Sequence, residues 1–411
     1  MRGIGEASAD AAPDLVIAGA PPAGSLPRAP VARLTSGRLL YVDWLRLLAL
    51  GGVFVIHVCS VFDPWDEWHI TNLERSRVAG ELIAVMAPWI MPLFMLLAGV
   101  SAWHSLAHRD NRTYVRERAM RLLIPLIVGT LLLVPPQVYL ERRLRGQFSG
   151  SFWEFYPHFF QGIYPRGNLS WHHLWFLAHL FAYSLVALPL FRYWESARGR
   201  SQLQRIARIC GGRAGLLWLA LPLVLERHVL WWMFRERHML TSDWSNHALL
   251  FVAYVYGFVL AGEPALGAAI DRQWRGALAT ACLTSALFML GLWLGILPNR
   301  LPEPYAPGYL AFWTLYAIGA WAAMVAVLGA ARYWLTRERS VLGYARSVGY
   351  GWYIVHQPII VAAAYVVVRS DMTVPIKFLT LFIVSLAGTL ASADLLRRVP
   401  LTRRVFGLFP A

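Results

Sequence analysis

Residues 40–62 read LYVDWLRLLALGGVFVIHVCSVF. Apart from Asp43, Arg46 and His57 the run is almost wholly apolar. At ~1.5 Å rise per residue it is long enough to cross the ~30 Å hydrocarbon core of a bilayer as a helix. Comparable runs recur at 80–103, 122–140, 172–191, 214–232, 247–262, 276–297, 308–330, 347–368 and 374–395. The expected fold is therefore all-α: a polytopic membrane helix bundle of about ten transmembrane helices. No internal repeat is visible, so the two-fold symmetry of many transporters is not expected.

Composition agrees. The 411 residues are 57% hydrophobic and only 15% charged, against about 25% charged in soluble domains. Mean hydropathy is +0.47. A disordered chain, a coiled coil and a disulfide scaffold are excluded. Residues 1–36 are rich in Ala, Pro and Gly and read as a disordered tail; residues 37–411 read as the membrane domain. The three cysteines, Cys59, Cys210 and Cys282, form neither a disulfide framework nor a zinc motif. Cys59 beside His57 reads as a buried inert thiol before it reads as a nucleophile.

The net charge is +15, and Lys377 is the only lysine. The arginines cluster between apolar runs, the pattern of cytoplasmic loops rather than of a nucleic-acid-binding face. With both termini in the cytoplasm, roughly 26 of the 38 basic residues fall inside. One loop resists this assignment: Arg142, Arg143 and Arg145 fall outside.

Several residues carry possible chemistry. Arg46 and His57 are eleven residues apart, so on an α-helix they differ by only ~20°. Asp43 and His57 differ by ~40°. The three share a face, with His57 ~16 Å beyond Arg46 along the axis. Ionisable groups in a span face a cavity or a partner; the bland alternative is a structural Asp43–Arg46 pair and a hydrogen-bonded core histidine. Arg118 and Arg121 stand at i,i+3 on an inward loop and suit phosphates, although positive-inside anchoring explains that charge without a ligand. The outward loop 148–171 is aromatic, including Trp153 and Tyr156, and runs into His172-His173-Leu174-Trp175. Aromatic faces suit sugar rings, while an interfacial aromatic belt is the plainer reading. In the ninth span, Tyr353 and His356 precede Pro358, which lacks an N–H and so frees a carbonyl that must find a partner. No metal site is expected, because the histidines are not at ligand spacing within any one helix.

Together these stretches resemble the membrane-bound acyltransferase 3 family. Tyr41-Val-Asp43-Trp44-Leu45-Arg46…His57 resembles its opening helix and Met91-Pro92-Leu93-Phe94-Met95-Leu96-Leu97-Ala98-Gly99 its second. Arg118-x-x-Arg121 with Pro125, His173-Leu-Trp175-Phe176-Leu177 and Tyr353-x-x-His356-x-Pro358 resemble later motifs. Pro135–Arg142 and Tyr156–Phe160 are similar to the branch that succinylates osmoregulated periplasmic glucans. The resemblance covers about 37–411. It implies transfer of an acyl group, acetyl or succinyl, from cytoplasmic acyl-CoA to a glycan beyond a bacterial inner membrane, with no permanently bound cofactor. By the same resemblance, His57 with Asp43 and Arg46 would be catalytic, and Arg118 and Arg121 would bind the donor. His172, His173, Trp175, Tyr353, His356, Trp153 and Tyr156 would form the acceptor or cavity side. Which of His172 and His173 matches the motif stays open. The rival reading is a transporter or flippase that uses the same His and Arg residues as a proton path; a non-catalytic sensor comes third.

Overall fold

The computed structural model describes residues 39–234, 242–297 and 306–408. The expected 1–36 tail lies outside the described residues, as does Ala411. Helix α1 spans Leu40–Ser60, α2 Arg77–Leu106 and α3 Asn111–Leu144, and a short α4 (Phe152–His158) follows. Then come α5 (His172–Val186), α6 (Leu188–Glu195), α7 (Ala197–Cys210) and α8 (Gly215–Leu230). The remainder is α9 (Trp244–Gly262), α10 (Pro264–Trp293), α11 (Pro307–Trp334), α12 (Ser340–Val367), α13 (Val374–Arg398) and α14 (Pro400–Val405). Among the described residues, eight helices are long and apolar enough to cross a membrane, and ten segments qualify if the bent pairs α5–α6 and α7–α8 each count as one. The all-α polytopic expectation is met. We call the end that carries the start of α1 the inner end, following the arginine distribution.

Local chemistry explains where the elements start and break. Ser76 caps α2 by accepting from the Ala79 N–H. Asp110 caps α3 by accepting from the Thr113 N–H at 3.0 Å, and these Thr113 hydrogen bonds hold its carboxyl below the usual range. Residues 104–121, expected as a loop, are therefore largely helical, since the cap starts α3 eleven residues before the apolar run at 122. Ser151 and Glu154 form a capping box at α4. The span expected at 172–191 bends by 47° just before Pro189. The segment expected to cross at 214–232 is one arm of a pair bent by 115° at the break that begins with Gly211-Gly212, so α7 and α8 do not form one straight span.

Packing places the core among α1, α2, α9, α11 and α12. Helices α2 and α9 approach backbone to backbone. A Cβ on Gly99 would lie 1.9 Å from the Tyr254 carbonyl, and one on Gly257 would lie 1.8 Å from that of Leu96. Such contact is the usual role of small residues between membrane helices. Helix α12 packs on α1, α13 and the outer half of α3, and it is this position that builds the site.

Candidate active site

His57 lies in the last turn of α1 and His356 half-way along α12. Each is sixteen or seventeen residues from the inner start of its helix, so the two reach the same depth. They meet: His356 Nε2 is 3.2 Å from His57 Nδ1. The tautomers follow from their partners. His356 Nδ1 faces the Tyr353 carbonyl at 2.7 Å, so it carries the proton and Nε2 accepts. His57 must then donate from Nδ1, which leaves its Nε2 as a bare lone pair. A neutral imidazole with a fixed donor on one side and a lone pair on the other is the arrangement of a general base.

His173 completes the cluster, its ring 5.3 Å from that of His356. Pro358 cannot bond the Ile354 carbonyl one turn back; His173 Nε2 donates to that oxygen at 2.8 Å. The carbonyl expected to be freed by Pro358 thus finds its partner in protein. The bond puts the His173 proton on Nε2 and leaves Nδ1 buried with no hydrogen-bond partner. The Tyr353 hydroxyl donates to the His173 carbonyl at 2.6 Å, fixing that backbone against α12. Of the adjacent pair it is His173 that faces His356. His172 turns instead toward His69, with ring centroids 4.1 Å apart.

Asp43 and Arg46 sit at the opposite end of α1, ~16–21 Å along the axis from His57. Arg46 bonds Asp43 Oδ1 at 3.2 Å and also Ser101. Arg346 reaches Asp43 Oδ2 at 3.5 Å and pairs with Glu338. These residues form an inner-end network and do not touch the histidines. Arg118 and Arg121 lie on the same inner side but not in plain i,i+3 register, because Ala119–Leu123 is a π-helical turn. Arg118 is half-buried, its guanidinium 4.9 Å from the Tyr114 ring centroid, whereas Arg121 is exposed. The Tyr350 hydroxyl donates to the Arg121 carbonyl. Tyr350, Tyr353 and His356 then step along α12, with centroids 6.4 and 6.0 Å apart, toward His57.

The outer aromatic residues are only partly drawn in. Trp153 is 79% exposed and packs on Phe152. The Tyr156 hydroxyl donates to the Leu131 carbonyl at 3.1 Å. The Trp175 ring lies 5.1 Å from that of His179, one turn down α5. The outward loop itself is pinned by Arg142, whose guanidinium donates to Asn168, Gln147 and the Pro165 and Gly167 carbonyls at 2.7–2.9 Å. That accounts for an arginine that the charge distribution alone left anomalous. Sequence reasoning missed Trp68 and His69, which reach the site from the first outward loop, with the Trp68 ring 5.7 Å from His57. It also missed Tyr164, whose hydroxyl donates to Glu141 at 3.2 Å; burial and then the Glu141 charge push that hydroxyl's pKa up, so it stays a donor. An apolar cavity of about 490 Å³ between α2, α10 and α11 has no histidine or carboxylate in its walls and lies apart from this chemistry.

The fold and this site define a polytopic helical membrane protein with a histidine centre buried between its first and twelfth helices. The chain matches the acyltransferase domain of the acyltransferase 3 family over residues 39–398 and belongs to that family. Neither a curated relative nor a solved structure matches it. The protein is accordingly a multi-pass membrane acyltransferase.

Proposed function

We propose that this acyltransferase takes its acyl group, acetyl or succinyl, from coenzyme A at the inner end and passes it to a glycan hydroxyl at the outer end. The membrane is then a bacterial cytoplasmic membrane with both termini on the donor side. The observation that carries the reading is the His57–His356 pair, which holds one bare imidazole nitrogen at the outer end of α1. The acceptor hydroxyl gives its proton to His57 Nε2 as its oxygen attacks the thioester carbonyl. The C–O bond forms, the C–S bond breaks, and the thiolate leaves with the proton returned by His57. The new imidazolium is stabilised through Nδ1–H donation to His356. At the other end Arg118, Arg121 and Arg46 supply guanidinium groups for the nucleotide phosphates, and the extended pantetheine arm covers the ~16 Å between the two ends.

Transport would use the same charged groups, but the acyltransferase domain favours chemistry. The test is thiol release by purified protein from acetyl- or succinyl-CoA with a periplasmic glucan, followed by mass spectrometry of the glucan. Acyl-ester mass increments with stoichiometric thiol support the reading. No thiol release with any glucan, alongside unchanged surface and periplasmic glycans in a deletion strain, overturns it.

A further inference from the structure

Three side chains that the transfer reaction does not use meet at the outer end of the bundle. They come from three separate elements: His69 from the first outward loop, Glu141 from the last turn of α3, and His172 from the first turn of α5. One donor atom from each lies within 4.8 Å of the other two. His69 Nδ1 is 3.0 Å from Glu141 Oε2. The Glu141 side chain is fully buried. Its Oε1 is occupied by Arg145 at 3.5 Å, leaving Oε2 on the histidine side.

Two further features bear on a ligand. His172 Nδ1 is held by the Ser170 hydroxyl at 2.9 Å, while its Nε2 is buried with no hydrogen-bond partner. A histidine with one nitrogen oriented by a hydroxyl and the other left bare has the second-shell arrangement of a metal ligand. The Tyr164 hydroxyl orients the carboxylate in the same way. The His172 backbone is also held at φ 42°, a left-handed conformation rare outside glycine, and this aims the ring.

We propose that His69, Glu141 and His172 bind one divalent transition-metal ion of the zinc type. Two imidazoles and one carboxylate are a donor set that selects zinc over magnesium or calcium. Binding displaces the proton shared by His69 and Glu141, which is released to solvent. Three protein ligands leave a coordination position open to water. The ion would tie the first outward loop to α3 and to the start of α5, and so would set the next residue, His173, against α12. Each ligand comes from a different element, so no single helix carries two of them at ligand spacing.

The test uses the full chain, purified in detergent with an affinity tag that contains no histidine, and zinc chloride as the probe. After incubation with zinc and removal of the excess, elemental analysis should give about one equivalent per chain. His69→Ala, His172→Ala and the isosteric Glu141→Gln should each lose it, while the exposed His158→Ala keeps it. Chelator should lower the thermal midpoint of wild type and zinc should restore it. Failure of wild type to retain zinc, with no response to chelator, overturns the site. So does a His69→Ala/His172→Ala double variant that elutes as a monodisperse folded protein and retains zinc as wild type does.

Discussion

Replacing His356 by alanine tests whether the paired imidazoles act as one unit. In the resting protein the bond from His57 Nδ1 to His356 Nε2 is a neutral contact at 3.2 Å. Once His57 has taken the acceptor's proton, the same bond has a cationic donor. Loss of a hydrogen bond to a charged group costs about 1.5–3 kcal/mol, which is roughly 10- to 150-fold in rate. His356→Ala should therefore lower kcat by about that factor while leaving the KM for the thioester unchanged, since the proposed donor site is at the inner end, where Arg46 lies ~16 Å from His57 along the axis of α1. His57→Gln removes the base itself and should lower the rate by about 10² to 10⁴. In the His57→Gln background the further change His356→Ala should matter little, because the acceptor no longer has a cation to hold. The assay is a double-mutant cycle on initial rates of thiol release at equal amounts of monodisperse protein. Single effects that simply multiply in the double variant would refute the coupling and leave His356 with a packing role.

Arg118→Ala or Arg121→Ala should raise the KM for the acyl thioester about 10- to 150-fold with little change in that for the acceptor; titration of each substrate against the variants separates donor binding from topology. Pro358→Ala restores an N–H that competes with His173 for the Ile354 carbonyl, so activity should fall about 2- to 12-fold without loss of folded protein. Gly99→Ala drives a methyl into the Tyr254 carbonyl and should destabilise the bundle by about 1–3 kcal/mol or more, read as a lower thermal midpoint in detergent. A green-fluorescent fusion after Ala411 should fluoresce and a periplasmic phosphatase fusion there should be inactive; the opposite pair of results would invert the bundle.

The spans were legible because hydropathy integrates over some twenty residues and tolerates local noise. Their ends were not, because caps such as Asp110 and breaks such as Gly211-Gly212 act over one or two residues. Within the site, helix periodicity put Asp43, Arg46 and His57 on one face, but a shared face says nothing about which end of the face a partner reaches. The structure divides the three between an inner network around Asp43 and an outer histidine pair. His57 and His356 were each visible singly; their contact depends on the packing of helices nearly three hundred residues apart in sequence, which periodicity does not encode. His69 and Glu141 were invisible as a pair for the same reason. One lies in a loop with no period, and the other sits among arginines that draw the eye to charge balance.

Proline chemistry is the feature that joins sequence and site most directly. Pro125, Pro135 and Pro358 each leave the carbonyl four residues earlier without its helical donor. Those carbonyls belong to Arg121, Leu131 and Ile354, and each receives a side chain from a different helix: the hydroxyls of Tyr350 and Tyr156, and the imidazole of His173. In hydrocarbon a bare carbonyl is costly, so each contact is demanded by the backbone as well as supplied by the side chain. The Arg121 contact ties α12 to the π-helical turn of α3 that begins just after Arg118. The Ile354 contact ties α5 to α12 beside His356. Along α12 the two anchors are four residues apart, with Tyr353 between them, so one helix fixes the spacing between the arginine end and the histidine end. If the proposed reaction holds, a rigid spacing of this kind suits a donor that enters from one side and a hydroxyl that arrives from the other, because neither substrate would need to move the helices to meet at His57.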